Sequence, residues 1–189
     1  DMTMTGYYCR KFVNENEPVS QSHHYTTPFP FFRLAEIYLN YAEAEFQLGH
    51  EDVAREYVNK VRARKSVNMP SITDSGEALL KRIYHERQIE LAFEGHRFFD
   101  VRRWKLYDNV TSTGETGKPR YNQLLNLYGV KVTGNADTPS YTFGLAETVN
   151  SRTFVNPKSY YFPIPANEVK RAPNLGQNPG WDTGSASNE

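Results

Sequence analysis

Glu90 and Glu94 stand four residues apart in the stretch IYHERQIELAFEGHRFFDVRRW, from Ile83 to Trp104. On a helix that spacing sets two carboxylates one turn apart on the same face. Paired carboxyl groups across a cleft are what glycoside hydrolysis needs, one of them as a general acid that holds its proton. Arg87, Arg97 and Arg103 lie close by in sequence, and a neighbouring guanidinium favours the ionised carboxylate. The pair therefore reads as part of an ionic network and as a poor general acid. No nucleophile elbow, phosphate-binding glycine loop or HExxH-type pair is present. Among His23, His24, His50, His85 and His96 none stands four residues from another, so neither a zinc site nor a cofactor is expected. No acidic loop has the EF-hand pattern.

A second chemistry open to this chain is saccharide binding, in which aromatic rings stack on sugar C–H faces while polar side chains meet the hydroxyls. Aromatics make up 14% of the residues, with 13 tyrosines and 11 phenylalanines. Tyr38, Tyr41, Tyr57 and Tyr84 fall on helical core arcs and are expected to pack. Tyr7, Tyr8, Tyr25, Tyr121, Tyr128 and Tyr141 lie in loops and are the freer rings.

The elements that must position these groups follow from apolar periodicity. Around Ile83–Phe93 the wheel puts Leu79, Leu80, Ile83, Ile89, Leu91 and Phe93 on one wide arc, with Arg87, Glu90 and Glu94 inside it and Glu86 at its edge. Charges on a core-facing arc persist only when paired and hydrogen-bonded. A buried network of Glu86, Arg87, Glu90 and Glu94 is expected, extended by Arg97, Asp100, Arg102 and Arg103. The helix-bearing segment spans 76–105, with Gly95 bending or capping it.

Upstream, prolines 28 and 30 delay any helix until Phe32. From there to Leu48 apolar residues fill more than half the wheel, leaving Glu36, Asn40, Glu43 and Gln47 as a narrow wet face. Glu45 falls inside the apolar arc and needs a cation, with Arg87 or Arg97 as candidates. Gly49 ends this helix as a C′ residue, and a second helix follows to about Arg64. The pair, over 32–65, has the look of a tetratricopeptide hairpin, with Ala54, Val58 and Val61 at packing positions of the second helix. Such repeats are about 34 residues long and stack on neighbours, and no second copy occurs here. Residues 106–181 are loop-rich, with short strands expected near Tyr141–Phe143 and Tyr160–Phe162, a cap at Asn167 and a turn at Asn178-Pro179-Gly180. Residues 182–189 are expected to be disordered. The fold class is thus mainly α: a helical hairpin, a long helix and a loop-rich C-terminal region.

Lysine plus arginine equals aspartate plus glutamate at 22 each, which excludes the basic excess of a nucleic-acid surface. No apolar run reaches the length of a membrane span. The opening DMTMTGYY has neither the basic nor the apolar region of a signal peptide. Cys9 is the single cysteine and leaves the redox compartment open. Apolar residues are 38% of the total and mean hydropathy is −0.70, lean for a self-sufficient core. The chain reads as the C-terminal part of a longer protein, with some of its apolar surface meant for a missing N-terminal half.

Four stretches carry a family resemblance. The Ile83–Trp104 segment, FRLAEIYLNYAEAEFQLG (Phe32–Gly49), YFPIPANEVKRAPNLGQNPGW (Tyr161–Trp181) and TGYYCRKFV (Thr5–Val13) together resemble the SusD/RagB family of Bacteroidota surface lipoproteins. The resemblance implies an incomplete SusD-like fold whose other helical repeats lie upstream. It implies non-enzymatic binding of an oligosaccharide, polysaccharide or peptide at the outer membrane, and docking on a TonB-dependent transporter of SusC type. His96 reads as structural in this family pattern. The resemblance also implies that ligand contacts come largely from loops upstream of the matched region, so only one rim of the site is expected here, at His24 and Tyr25. The alternatives are an interaction scaffold without a saccharide site and a carbohydrate-cleaving enzyme.

Overall fold

The computed structural model describes residues 7–14, 28–107, 128–135, 137–145 and 154–181. They fall into two compact units, Cys9–Asp100 and a second made of Asp1–Tyr8 with Val101–Glu189.

The first unit is helical. α1 (Leu34–Gln47) and α2 (Glu51–Arg62) form the hairpin. Gly49 sits between them at φ +85°, a left-handed conformation that costs glycine nothing. The amides of Gly49 and His50 donate to Phe46 O and Glu45 O at 3.0 and 2.9 Å, closing the last turn of α1. α2 carries Glu51 and Asp52 in its first turn and Lys60 and Arg62 in its last, the polarity its dipole favours. α3 (Gly76–Glu90) opens with no side-chain cap from Ser75. Glu51 supplies that cap instead, both its oxygens lying 3.1 Å from the Gly76 amide. Asn59 and Arg55 hold the connecting strand of chain: Asn59 Oδ1 accepts from the Ile72 amide at 2.8 Å, and Arg55 Nη1 donates to Asp74 O at 3.1 Å.

Ala35, Leu39 and Ala42 of α1, Ala54, Val58 and Val61 of α2, and Leu79 and Ile83 of α3 close one core with Ile72. The expected packing positions on α2 are all buried. Tyr38, Tyr57 and Tyr84 pack against this core, whereas Tyr41 is exposed at its edge and meets the Tyr57 ring edge-on, centroids 4.5 Å apart.

Three expectations from the wheels are corrected. Leu34, Ile37, Tyr41 and Leu48 are exposed, while Glu36 is buried; of the expected wet face Asn40 and Gln47 are exposed, and Glu43 is half-buried 3.9 Å from Arg87. Ile89 is exposed and Phe93 is 67% exposed, so α3 buries fewer apolar positions than its arc holds. α3 also stops at Glu90, short of Gly95, and a turn with Phe93 at φ +64° and Gly95 at φ +84° leads into α4 (His96–Arg103). A wheel counts apolar residues within one helix; which of them are covered depends on where α2 and α3 lie.

In the second unit β1 (Tyr128–Gly134) pairs antiparallel with β2 (Pro139–Leu145), Val132 opposite Tyr141. Asn135 Oδ1 accepts from the amides of Asp137 and Thr138 at 3.1 and 2.8 Å and shapes the turn. The strand expected at Tyr160–Phe162 is absent: Lys158–Tyr160 is a 3-10 turn. The chain then runs extended to α5 (Ala166–Arg171), which starts behind Pro165 and not at Asn167. Gln177 pairs with both backbone groups of Ile164, at 2.7 and 2.9 Å, and Asn178 Nδ2 donates to Phe162 O at 2.8 Å. Side-chain amides thereby supply the bonds a partner strand would have made. The turn at Asn178–Trp181 forms as expected, with a 2.9 Å backbone bond. Residues 182–189 lie outside the described residues.

Candidate functional site

The carboxylates that could have done acid–base chemistry are occupied by cations. Arg33 precedes α1 and spans both of them. Its Nε donates to Glu94 Oε2 at 2.7 Å and its Nη1 to Glu90 Oε1 at 2.5 Å, while Nη2 reaches Glu94 Oε1 and Glu90 O. Lys11 Nζ adds bonds to Glu90 O and Ala92 O, each 2.9 Å, and to the Glu94 carboxylate. Arg64, past the end of α2, donates to Glu90 Oε2 at 2.5 Å. Arg33 and Lys11 also meet the Glu90 carbonyl at the C-terminus of α3, the end its dipole makes negative.

The Glu94 side chain is only 2% exposed. Burial by itself would raise its pKa, but hydrogen bonds from Arg33 and Lys11 outweigh that and hold it below the usual value. Burial likewise works to lower the Arg33 pKa and is overcome by the bonds to Glu94 and Glu90, leaving it raised. A carboxylate locked in its charged form is a poor proton donor at neutral pH.

The other expected network members sort into two further groups. Arg62 meets Glu86 and donates from Nε to Pro70 O at 2.8 Å. Arg87 pairs with Asp100, bonds Asn40 Oδ1 and lies 3.9 Å from Glu43. Arg97 is half-buried on α4. Glu45 is a correction: its partner is His50 Nδ1 at 2.6 Å, neither Arg87 nor Arg97. The bonds from His50 and Tyr41 lower the Glu45 pKa. His96 stands 3.7 Å from the buried Glu36. His24 and Tyr25 lie outside the described residues, as do Tyr121 and any rim they form.

Sequence reasoning missed Lys11, Arg33, Arg62, Arg64 and Asn40. All five are separated from their partners by 24 residues or more, beyond the reach of helical periodicity. The one usable signal was the basic last turn of α2, which a hairpin returns toward the following helix.

The second unit holds a cleft of about 450 Å³ lined by Arg102, Arg103, Lys105, Asn156, Pro157, Tyr160 and Tyr161. That volume falls in the range of small-ligand sites. Its far wall is braced: Arg102 Nε donates to Ser159 O at 3.1 Å, and Trp181 Nε1 lies 3.0 and 3.1 Å from Lys158 O and Tyr161 O. Phe154 stacks on Tyr107 with centroids 3.9 Å apart and meets Tyr160 edge-on at 4.6 Å. Among the described residues there is no group of three or more His, Cys, Asp or Glu side chains placed to hold a metal. None of the described helices is long and apolar enough to cross a membrane.

The sequence profile of the SusD family matches residues 1–181. A SusD-like protein of Formosa agariphila is 36% identical over 104 residues, which cover 53% of this chain and 20% of that protein. The crystal structure of a SusD-like protein from Bacteroides fragilis superposes with a TM-score of 0.74 at 34% identity, over 95% of this chain and 31% of that one. The chain thus spans about a fifth and about a third of these two relatives.

Proposed function

This chain belongs to the SusD family, and on that premise we propose that it is part of a longer protein that binds a glycan or other nutrient polymer without cleaving it. The protein sits at the outer membrane surface and passes its ligand to a TonB-dependent transporter of SusC type. The observation that carries the non-enzymatic reading is the fate of Glu90 and Glu94, both engaged by Arg33 and hence part of the scaffold. Exposed rings at Tyr7, Tyr8 and Tyr141 suit sugar stacking, and His24 with Tyr25 forms one rim of the site.

A second reading, a scaffold with protein partners only, is favoured by the row Leu34, Ile37, Tyr41 and Leu48. These residues recur at helical spacing on α1 and are all exposed, which suits packing by further helical repeats. Gel-affinity and calorimetric binding to a panel of host and plant polysaccharides, beside co-purification with an outer-membrane barrel, tests both. Saccharide binding supports the first reading. Barrel association without any saccharide binding supports the second, and failure of both assays overturns the proposal.

A further inference from the structure

We infer that the cleft between the end of α4 and the Asn156–Tyr161 segment is a subsite for a negatively charged sugar, one bearing a carboxylate or a sulfate. The inference rests on the saccharide-capture reading and adds the class of ligand. Of the described residues that line it, Arg102, Arg103 and Lys105 are cationic and none is acidic, although the chain as a whole has zero net charge. Such a concentration of one sign in a chain of balanced charge raises the local concentration of anions.

The rest of the lining is suited to a sugar and not to a bare ion. Tyr160 and Tyr161 bring aromatic rings to the lining, and Asn156 brings a side-chain amide, a group that both donates to and accepts from hydroxyls. Arg103 lies over the Trp104 ring, 4.5 Å from its centroid; such stacking orients a guanidinium, whose planar fork matches carboxylate and sulfate oxygens. The wall is preformed by the Arg102–Ser159 and Trp181–Lys158 bonds, so little ordering cost is left for binding.

The test titrates this chain with oligogalacturonate, with a sulfated galactan oligosaccharide and with a neutral cello-oligosaccharide, at low and at physiological salt. Parent protein is compared with Arg103→Gln/Lys105→Gln, with Lys105→Gln alone, and with Lys81→Gln on α3 as a control. Lys105 is exposed, so its single variant reports even where the double variant is poorly folded. The expected result is tighter, salt-sensitive binding of at least one anionic sugar, weakened about tenfold in the double variant and several-fold in Lys105→Gln. Lys81→Gln should leave it unchanged. Equal affinity for neutral and anionic sugars, or undiminished anionic binding in Lys105→Gln, overturns the inference and leaves saccharide capture standing. Binding of inorganic sulfate as tight as that of the sulfated sugar overturns it as well, since the rings and amide would then contribute nothing. Absence of binding to every saccharide removes capture by this chain, and the inference with it.

Discussion

Arg87 and Asp100 face each other across the turn that separates α3 from α4, with Nε 3.1 Å from Oδ2 and Nη2 3.2 Å from Oδ1. Their side chains are 4% and 5% exposed. A forked contact this dry is a strong hydrogen-bonded ion pair, yet its net value is small because both charges were taken out of water. Its importance appears when one partner is lost.

Arg87→Ala should therefore destabilise the chain by about 3–5 kcal/mol, because the buried Asp100 loses its forked cationic partner. Urea unfolding followed by circular dichroism measures this. Arg87→Met combined with Asp100→Leu should recover much of the loss. A cost below about 1 kcal/mol for the single variant would mean the pair is solvated.

Glu94 predicts an acid-side dependence. Its folded-state pKa is held below the ordinary 4.5 by bonds that outweigh burial. The stabilisation is therefore complete above that ordinary value and is lost as pH falls through the depressed one. Stability should show no loss from this group between neutral pH and 4.5, then decline. Glu94→Gln should be less stable at neutral pH and decline less steeply in acid. Parallel acid slopes in the two proteins would contradict this.

Glu90→Gln separates scaffold from catalysis. It removes charged contacts to Arg33 and Arg64 and should cost about 1–3 kcal/mol in thermal unfolding. Neither the parent nor the variant should release reducing ends from polysaccharide, and saccharide affinity should be equal in the two. Product release by the parent that vanishes in Glu90→Gln would make the pair catalytic.

Two glycines distinguish backbone conformation from crowding. Gly49 has φ +85° and open space where a Cβ would stand, so Gly49→Ala should cost about 1 kcal/mol from backbone strain alone. At Gly180 a Cβ would also lie 2.9 Å from the backbone nitrogen of Lys158. Gly180→Ala should cost more, roughly 1–3 kcal/mol, and should disturb the wall of the basic cleft. Trp181 fluorescence should shift in this variant and stay unchanged in Gly49→Ala.

Much of the architecture was legible in the chain itself. Apolar spacing and Gly49 located the hairpin to within two residues at its helix ends, because helix formation and its αL stop are local events. The tension between Glu90, Glu94 and their apolar surroundings called for partners, since a desolvated charge must be either paired or neutralised, and both carboxylates meet Arg33. Four stretches in order resembled the SusD/RagB family, and the family profile over residues 1–181 agrees.

What the chain could not disclose was which cation meets which carboxylate. Arg33 and Lys11 reach Glu94 across 61 and 83 residues, and no periodicity spans such distances. Glu45, placed near Arg87 by a wheel, found His50 five residues away instead. The wet and dry sides of α1 were misjudged for the same reason. A helix carries its apolar residues wherever the sequence puts them, but only the packing of α2 and α3 determines which side is covered. The basic cleft, too, required tertiary structure, since Arg102 and Ser159 stand 57 residues apart until the fold brings them to 3.1 Å.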